Sequence, residues 1–190
     1  MTTNRGEYIE NIAEIIKSQD TYFDSSALMH KGFTEFIRKN YQQLRVSEAK
    51  ICVLYSTYNF VEYLMNSPDI KTAENAKETY EKLNSLIRYN ILSLKGKPDN
   101  RYRESQQILI DALQNRMHKP QAFVTNNRAL HHDLLLQKNN KSCFGYPLQI
   151  LHLSNNGFIF SSEISSDNAD KAAKHNDEDI ESFFKLFRIA

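Results

Sequence analysis

Cysteine, glycine, proline and tryptophan are all scarce in this chain. The 190 residues include two cysteines, five glycines, four prolines and no tryptophan. Cys52 and Cys143 lack CxxC spacing and lie among apolar or aromatic residues, which suits small buried hydrophobes kept reduced in a cytoplasmic protein. With so little glycine there is neither a GxxxxGK[ST] nor a GxGxxG segment, which disfavours a nucleotide-phosphate loop. No run approaches the roughly 20 apolar residues that a membrane span needs. Nor does Met1-Thr2-Thr3-Asn4-Arg5-Gly6-Glu7 lead into a signal peptide. The expectation is a soluble cytoplasmic protein without a membrane partner. An excess of one charge is also lacking: 24 Lys and Arg against 23 Asp and Glu leave a net charge of +1. That balance argues against a generic polyanion binder but leaves room for a local basic patch.

Short apolar runs alternate with helical periodicity. Ile9, Ile12, Ile15 and Ile16 predict a first amphipathic helix over about residues 7–17. A strand ending at Asp24 follows, then helical structure through Phe33, Phe36 and Leu44 with a break at Gly32. Ile51-Cys52-Val53-Leu54-Tyr55 has the continuous apolar character of a buried parallel strand. Ser56 or Thr57 is placed to cap the next helix, which carries Phe60, Val61 and Leu64 and stops before Pro68. Further helices are predicted over about residues 72–88, 104–117 and 128–137, and strands over about 90–94, 122–124 and 148–153. Such alternation implies right-handed βαβ crossovers and a mostly parallel sheet of about five strands covered on both faces. Residues 1–19 would pack on the domain as an N-terminal helix, and 20–160 would form the domain itself. Residues 161–190 would be a polar linker followed by an amphipathic helix with a stripe of Ile180, Phe183, Phe184 and Phe187. That stripe suits docking on its own core or in a partner's groove.

The chemistry gathers at strand ends. Asp24 closes the first strand, and Glu62 follows the second, one helical turn on. Asp99 lies in the loop after the third strand, and Glu104 opens the helix beyond it. Thr125-Asn126-Asn127 follows the fourth. In a parallel sheet these groups share one edge, where open α/β sheets hold ligands. Several carboxylates in one cleft persist when a cation neutralises them, and oxygen-only ligands suit Mg²⁺ or Mn²⁺. Each residue also has a plainer role. Asp24 and Asn127 suit helix caps, Glu62 a helix surface, and Glu104 a first-turn acid. In the helix from Glu104, Ile108, Leu109, Ala112 and Leu113 define the predicted core side, with Ser105 toward its middle, Glu104 at its border and Asp111 in solvent.

Four segments carry a resemblance: Asp-Ser-Ser-Ala-Leu (24–28), Tyr-Asn-Phe-Val-Glu-Tyr-Leu (58–64), Gln-Gln-Ile-Leu-Ile-Asp-Ala-Leu (106–113) and Phe-Val-Thr-Asn-Asn-Arg-Ala-Leu (123–130). Over about residues 20–155 the chain resembles the PIN-domain family. The resemblance implies a Rossmann-like three-layer α/β/α fold and hydrolysis of RNA with a Mg²⁺- or Mn²⁺-activated water, as in toxin (VapC-type) and RNA-processing nucleases. Asp24 and Glu62 match the family's first two acids. Glu104 stands where the family opens its long helix with Asp, and Asn127 replaces the Asp that usually follows Thr-Asn, removing a charge from the metal site. The catalytic acids would be Asp24, Glu62 and Glu104, which would also hold the metal with help from Asn127. Ser26 and Thr125 would hydrogen-bond the ligating carboxylates or satisfy strand-end amides. Lys95, Lys97, Arg101, Arg103 and Arg128 would form a basic rim for the RNA backbone, or solvated loop charges. A homodimer and a cognate antitoxin or other partner protein are also implied. The alternatives are a catalytically degenerate PIN-like module for RNA binding or protein assembly, and a DNA nuclease of the same architecture.

Overall fold

Side-chain alternation along short strands sets two cores. In β1 (Asp20–Phe23), Phe23 turns to one face of the sheet and Tyr22 to the other. In β2 (Ile51–Leu54), Ile51 and Val53 share the Phe23 face, while Cys52 and Leu54 share the Tyr22 face. Leu92 of β3 (Leu92–Lys95) belongs to the Phe23 face. In β4 (Gln121–Val124) and β5 (Leu148–Leu153), Ala122, Val124, Leu151 and Leu153 take the Phe23 side. Phe123, Leu148 and Ile150 take the other. Strands buried on both faces are what parallel crossovers require, because the connecting helices cover each side.

The computed structural model describes residues 12–98, 103–140 and 145–161. It has a three-layer α/β/α architecture around a six-stranded sheet of order β3-β2-β1-β4-β5-β6, where β6 is Ile159–Ser161. β1 to β5 are parallel, and β6 runs antiparallel to β5. On the Phe23 face lie α1 (Ile12–Ser18), α2 (Ser25–Leu28), α3 (Lys31–Ser47), α4 (Tyr55–Leu64) and α5 (Ile70–Arg88). α6 (Glu104–Asn115) and α7 (Arg128–Asn139) cover the Tyr22 face. The chain leaves β1 toward β2 under one layer of helices and leaves β4 toward β5 under the other. The β1–β4 boundary is therefore the topological switch point, where open sheets form a crevice at the carboxyl ends of their strands.

Three elements differ from the sequence expectation. A sixth strand follows Gly157, too short at three residues to show a period. The helical stretch after Asp24 is two helices, and the break falls at Met29–His30 rather than at Gly32. Gly32 lies inside the first turn of α3, where a Cβ would collide with the Ser154 carbonyl in the β5–β6 turn. Gly157, with φ +75, brings that turn against Phe36 from the other side. The glycines thus allow a close approach of hairpin to helix. Finally, α4 starts at Tyr55, after Leu54 as an N-cap without a side-chain bond. Ser56 and Thr57 are therefore not caps. They are buried in the first turn, and their hydroxyls have no hydrogen-bond partner.

α1 buries Ile12, Ala13 and Ile16 and packs on α3 and β1. Residues 1–11, Cys143 and the expected linker and helix beyond Ser161 lie outside the described residues. Among the described residues no helix is long and apolar enough to cross a membrane.

Candidate functional site

Asp24 continues β1 one residue past Phe23, with its N–H bonded to the Val124 carbonyl at 3.2 Å. That register sets it beside Thr125, the first residue after β4. Thr125 Oγ1 donates to Asp24 Oδ2 at 2.6 Å and accepts the Asn127 N–H at 3.0 Å. Ser26 Oγ lies 2.8 Å from each Asp24 carboxylate oxygen and accepts the Asn126 N–H at 2.9 Å. The Ala27 N–H donates to Asp24 Oδ1 at 2.8 Å, so Asp24 also caps α2. Asn126 extends the stitching to β5: its amide donates to the Leu153 carbonyl at 2.9 Å and accepts the Leu153 N–H at 3.0 Å. The loops after β1, β4 and β5 are joined through side chains at the switch point.

Glu104 meets this edge from the first turn of α6. Ser25 holds it at two points, its N–H donating to Oε1 at 2.6 Å and its Oγ to Oε2 at 2.5 Å. Consecutive residues 24 and 25 therefore present one carboxylate and grip a second. Burial first, and the Asp24 charge second, push the Glu104 carboxyl above the usual range, against the opposing bonds from Ser25. Asp24 is also raised by burial, against the bonds from Thr125, Ala27 and Ser26. Thr57 Oγ1 lies close enough to favour the charged form of Glu104 but makes no hydrogen bond of good geometry. Asp24 is buried and Glu104 half-buried, and they lie close enough for the charge on Asp24 to disfavour that on Glu104.

The orientation of α6 explains how Glu104 arrives. Its buried residues are Gln107, Ile108, Asp111 and Ala112, whereas Leu113 is 42% exposed and Ser105 is exposed. The helix is turned by about one residue, roughly 100°, from the side that apolar content predicts. Asp111 is consequently buried, not in solvent. It accepts Gln107 Nε2 at 2.7 Å, and burial raises its pKa. Pairing Asp111 with Gln107 offsets part of the burial cost of a polar group. A pattern that counts only apolar residues misses this face, because Glu104, Gln107 and Asp111 belong to it.

Glu62 is not brought to the pair. Thr57, beside Glu104, and Glu62 lie about 140° apart around α4 at roughly 100° per residue. Glu62 is exposed and accepts the Tyr80 hydroxyl of α5 at 3.1 Å. Asn127 caps α7, its Oδ1 accepting the N–H groups of Ala129 at 3.0 Å and Leu130 at 3.2 Å. Among the described residues no three His, Cys, Asp or Glu side chains converge to hold a metal ion. Of the basic residues, Lys97, Arg103 and Arg128 are exposed, Lys95 is partly buried at the end of β3, and Arg101 lies outside the described residues.

Sequence patterns gave no role to Ser25, whose grip on Glu104 depends on a contact 79 positions away, nor to His152. His152 Nδ1 lies 2.6 Å from the Thr125 carbonyl, and its ring packs 4.7 Å from that of His131. Burial lowers the pKa of both imidazoles. Cys52 is buried and its thiol is pushed up to about 11, so it is no nucleophile at neutral pH.

No known family model matches the chain, and no curated protein matches it. The architecture is a general α/β one, compatible with a PIN-like module.

Proposed function

We propose that the protein is a PIN-like, divalent-cation-dependent ribonuclease whose cation is held chiefly by Asp24 and Glu104. The observation that carries this reading is the pair itself: two enclosed carboxylates at the carboxyl edge of the switch point, each raised in pKa. The donor set fits Mg²⁺ or Mn²⁺. Both groups are hard oxygens, and Mg²⁺ is commonly held by one or two carboxylates plus waters and substrate phosphates. Each Glu104 oxygen accepts one bond from Ser25 and keeps further lone-pair capacity. A bound cation would neutralise charge on a phosphodiester and acidify water.

The chain's own residues do the positioning. Thr125 and Ser26 hold Asp24, and Ser25 holds Glu104, so neither acid can swing away from the edge. Lys97, Arg103 and Arg128 would supply contacts to the RNA backbone, which orient a strand without reading its sequence. Glu62 and Asn127 take no ligand role in this reading, because Glu62 lies on the α5 flank of α4 and Asn127 caps α7.

Cleavage of a labelled single-stranded RNA with Mn²⁺ tests this reading. Asp24→Asn and Glu104→Gln should each abolish cleavage while the fold persists; undiminished cleavage by either rejects the site. A second reading, an RNA-binding or assembly module without catalysis, is favoured by the convergence of only two acids. It predicts RNA binding with no cleavage by the wild type at any Mn²⁺ concentration.

A further inference from the structure

α4 presents two aromatic rings to solvent beside the carboxylate edge. Phe60 is 38% and Tyr63 71% exposed, and their rings stack at 6.5 Å between centroids and 18° between planes. Large aromatics left in water at helical i,i+3 spacing contribute little to a core. These two are already aligned, so little rotamer freedom is lost when a flat ligand lies on them.

Their position is informative. Phe60 is one turn beyond Thr57, which lies beside Glu104, and is offset from it by about 60° around the helix. Tyr63 continues in the same sense, whereas Glu62 lies on the opposite flank, held by Tyr80. The acid nearest in sequence is thus turned toward α5. Asn59 donates its amide to the Pro98 carbonyl at 3.1 Å, fixing the loop after β3 to α4. That connection carries Lys97 and, at its far end, Arg103, both exposed. The ion pairs among the described residues involve neither. The Asn59–Pro98 bond thus ties the exposed rings of α4 to a connection that carries exposed positive charge.

We propose that Phe60 and Tyr63 form a stacking platform for consecutive bases of a single-stranded polynucleotide, with Lys97 and Arg103 contacting its backbone. Single-strand sites combine aromatic faces with a basic track in this way. A duplex hides its base faces, so the platform selects unpaired strands. The inference rests on the RNA reading above and adds to it the strand form and the residues that receive the bases.

Fluorescence anisotropy of a labelled 12-nucleotide single-stranded RNA, without divalent cation, tests it on the full chain. Phe60→Ala and Tyr63→Ala should each weaken binding by about tenfold. Phe60→Leu and Tyr63→Leu separate stacking from mere apolar contact, since leucine keeps apolar area but has no π face. They should lose nearly as much as alanine, while Tyr63→Phe should bind like the wild type. Wild-type affinity in the leucine variants would overturn the platform and mark the patch as a general apolar docking surface for protein. Equal affinity for a duplex of the same sequence, or no RNA binding at all, would overturn it too. Ring-dependent binding by a wild type that never cleaves RNA would sink the nuclease reading and leave the platform standing.

Discussion

The two faces of the sheet are built from different chemistry. Under α1, α3 and α5, Phe23, Phe33 and Phe36 form a cluster with ring centroids 5.3 to 6.4 Å apart, and two glycines let the β5–β6 hairpin close against α3. Under α6 and α7, Tyr22 stacks on Phe123 at 5.0 Å, but the layer also takes in Gln107, Asp111 and a fully buried Gln121 whose side-chain amide has no partner. Its upper rim is the Asp24–Glu104 pair. Buried polar groups cost stability unless satisfied, and raised carboxyls cost it at neutral pH. The Phe23 face also buries an unpartnered hydroxyl at Thr21, but the buried acid and side-chain amides lie on the other, which holds groups that a stable core alone would not select.

The comparison predicts a graded set of effects. Phe36→Ala on the apolar face should cost about 3–5 kcal/mol, read as a lower urea midpoint at unchanged slope. A loss below about 1 kcal/mol would deny that face its role. On the polar face, ionising Glu104 opposes folding, because its folded pKa lies above its unfolded one. The native state then binds more protons than the unfolded state, and stability falls as pH rises from about 4 to the raised value of about 7. His131 and His152, lowered by burial, act in the opposite sense and lose stability as pH falls. The difference between wild type and Glu104→Gln, measured without divalent cation, isolates the acid. Relative to the variant, the wild type should lose about 3 kcal/mol between pH 4 and 8. A difference that does not change with pH would remove the strain assigned to the pair.

Smaller effects follow along the same rim. Thr125→Val deletes the donor to Asp24 and leaves the Asn127 N–H without its acceptor. It should cost about 1–2 kcal/mol and raise the Asp24 pKa further, which carboxyl NMR titration can follow. Glu62→Gln should change stability by less than about 0.5 kcal/mol, since Glu62 is exposed and the Tyr80 hydroxyl keeps an acceptor. A marked gain in stability at neutral pH, as expected for Glu104→Gln, would show that α4 contributes an acid to the site after all.

The layered architecture was legible because each strand and most helices carry their own period. Asp24 was legible as a carboxylate at a strand end, and Thr125 as the group after β4. What escaped depended on rotation and distance. The orientation of α6 follows from Glu104, Gln107 and Asp111 finding partners inside, which an apolar count scores against burial. Glu62 matched a family position by spacing, but it lies on the α5 flank of α4, where it accepts the Tyr80 hydroxyl and the Tyr58 and Tyr80 rings pack 5.0 Å apart. The Ser25 clamp pairs residues from distant segments, and no local pattern signals it.

Calorimetric titration with Mn²⁺ at pH 8 tests the central claim most directly. The wild type should bind the cation with an affinity that Asp24→Asn and Glu104→Gln each abolish and Glu62→Gln leaves intact. Absence of binding at millimolar Mn²⁺, or binding that survives Glu104→Gln and disappears with Glu62→Gln, would contradict a cation site built from Asp24 and Glu104.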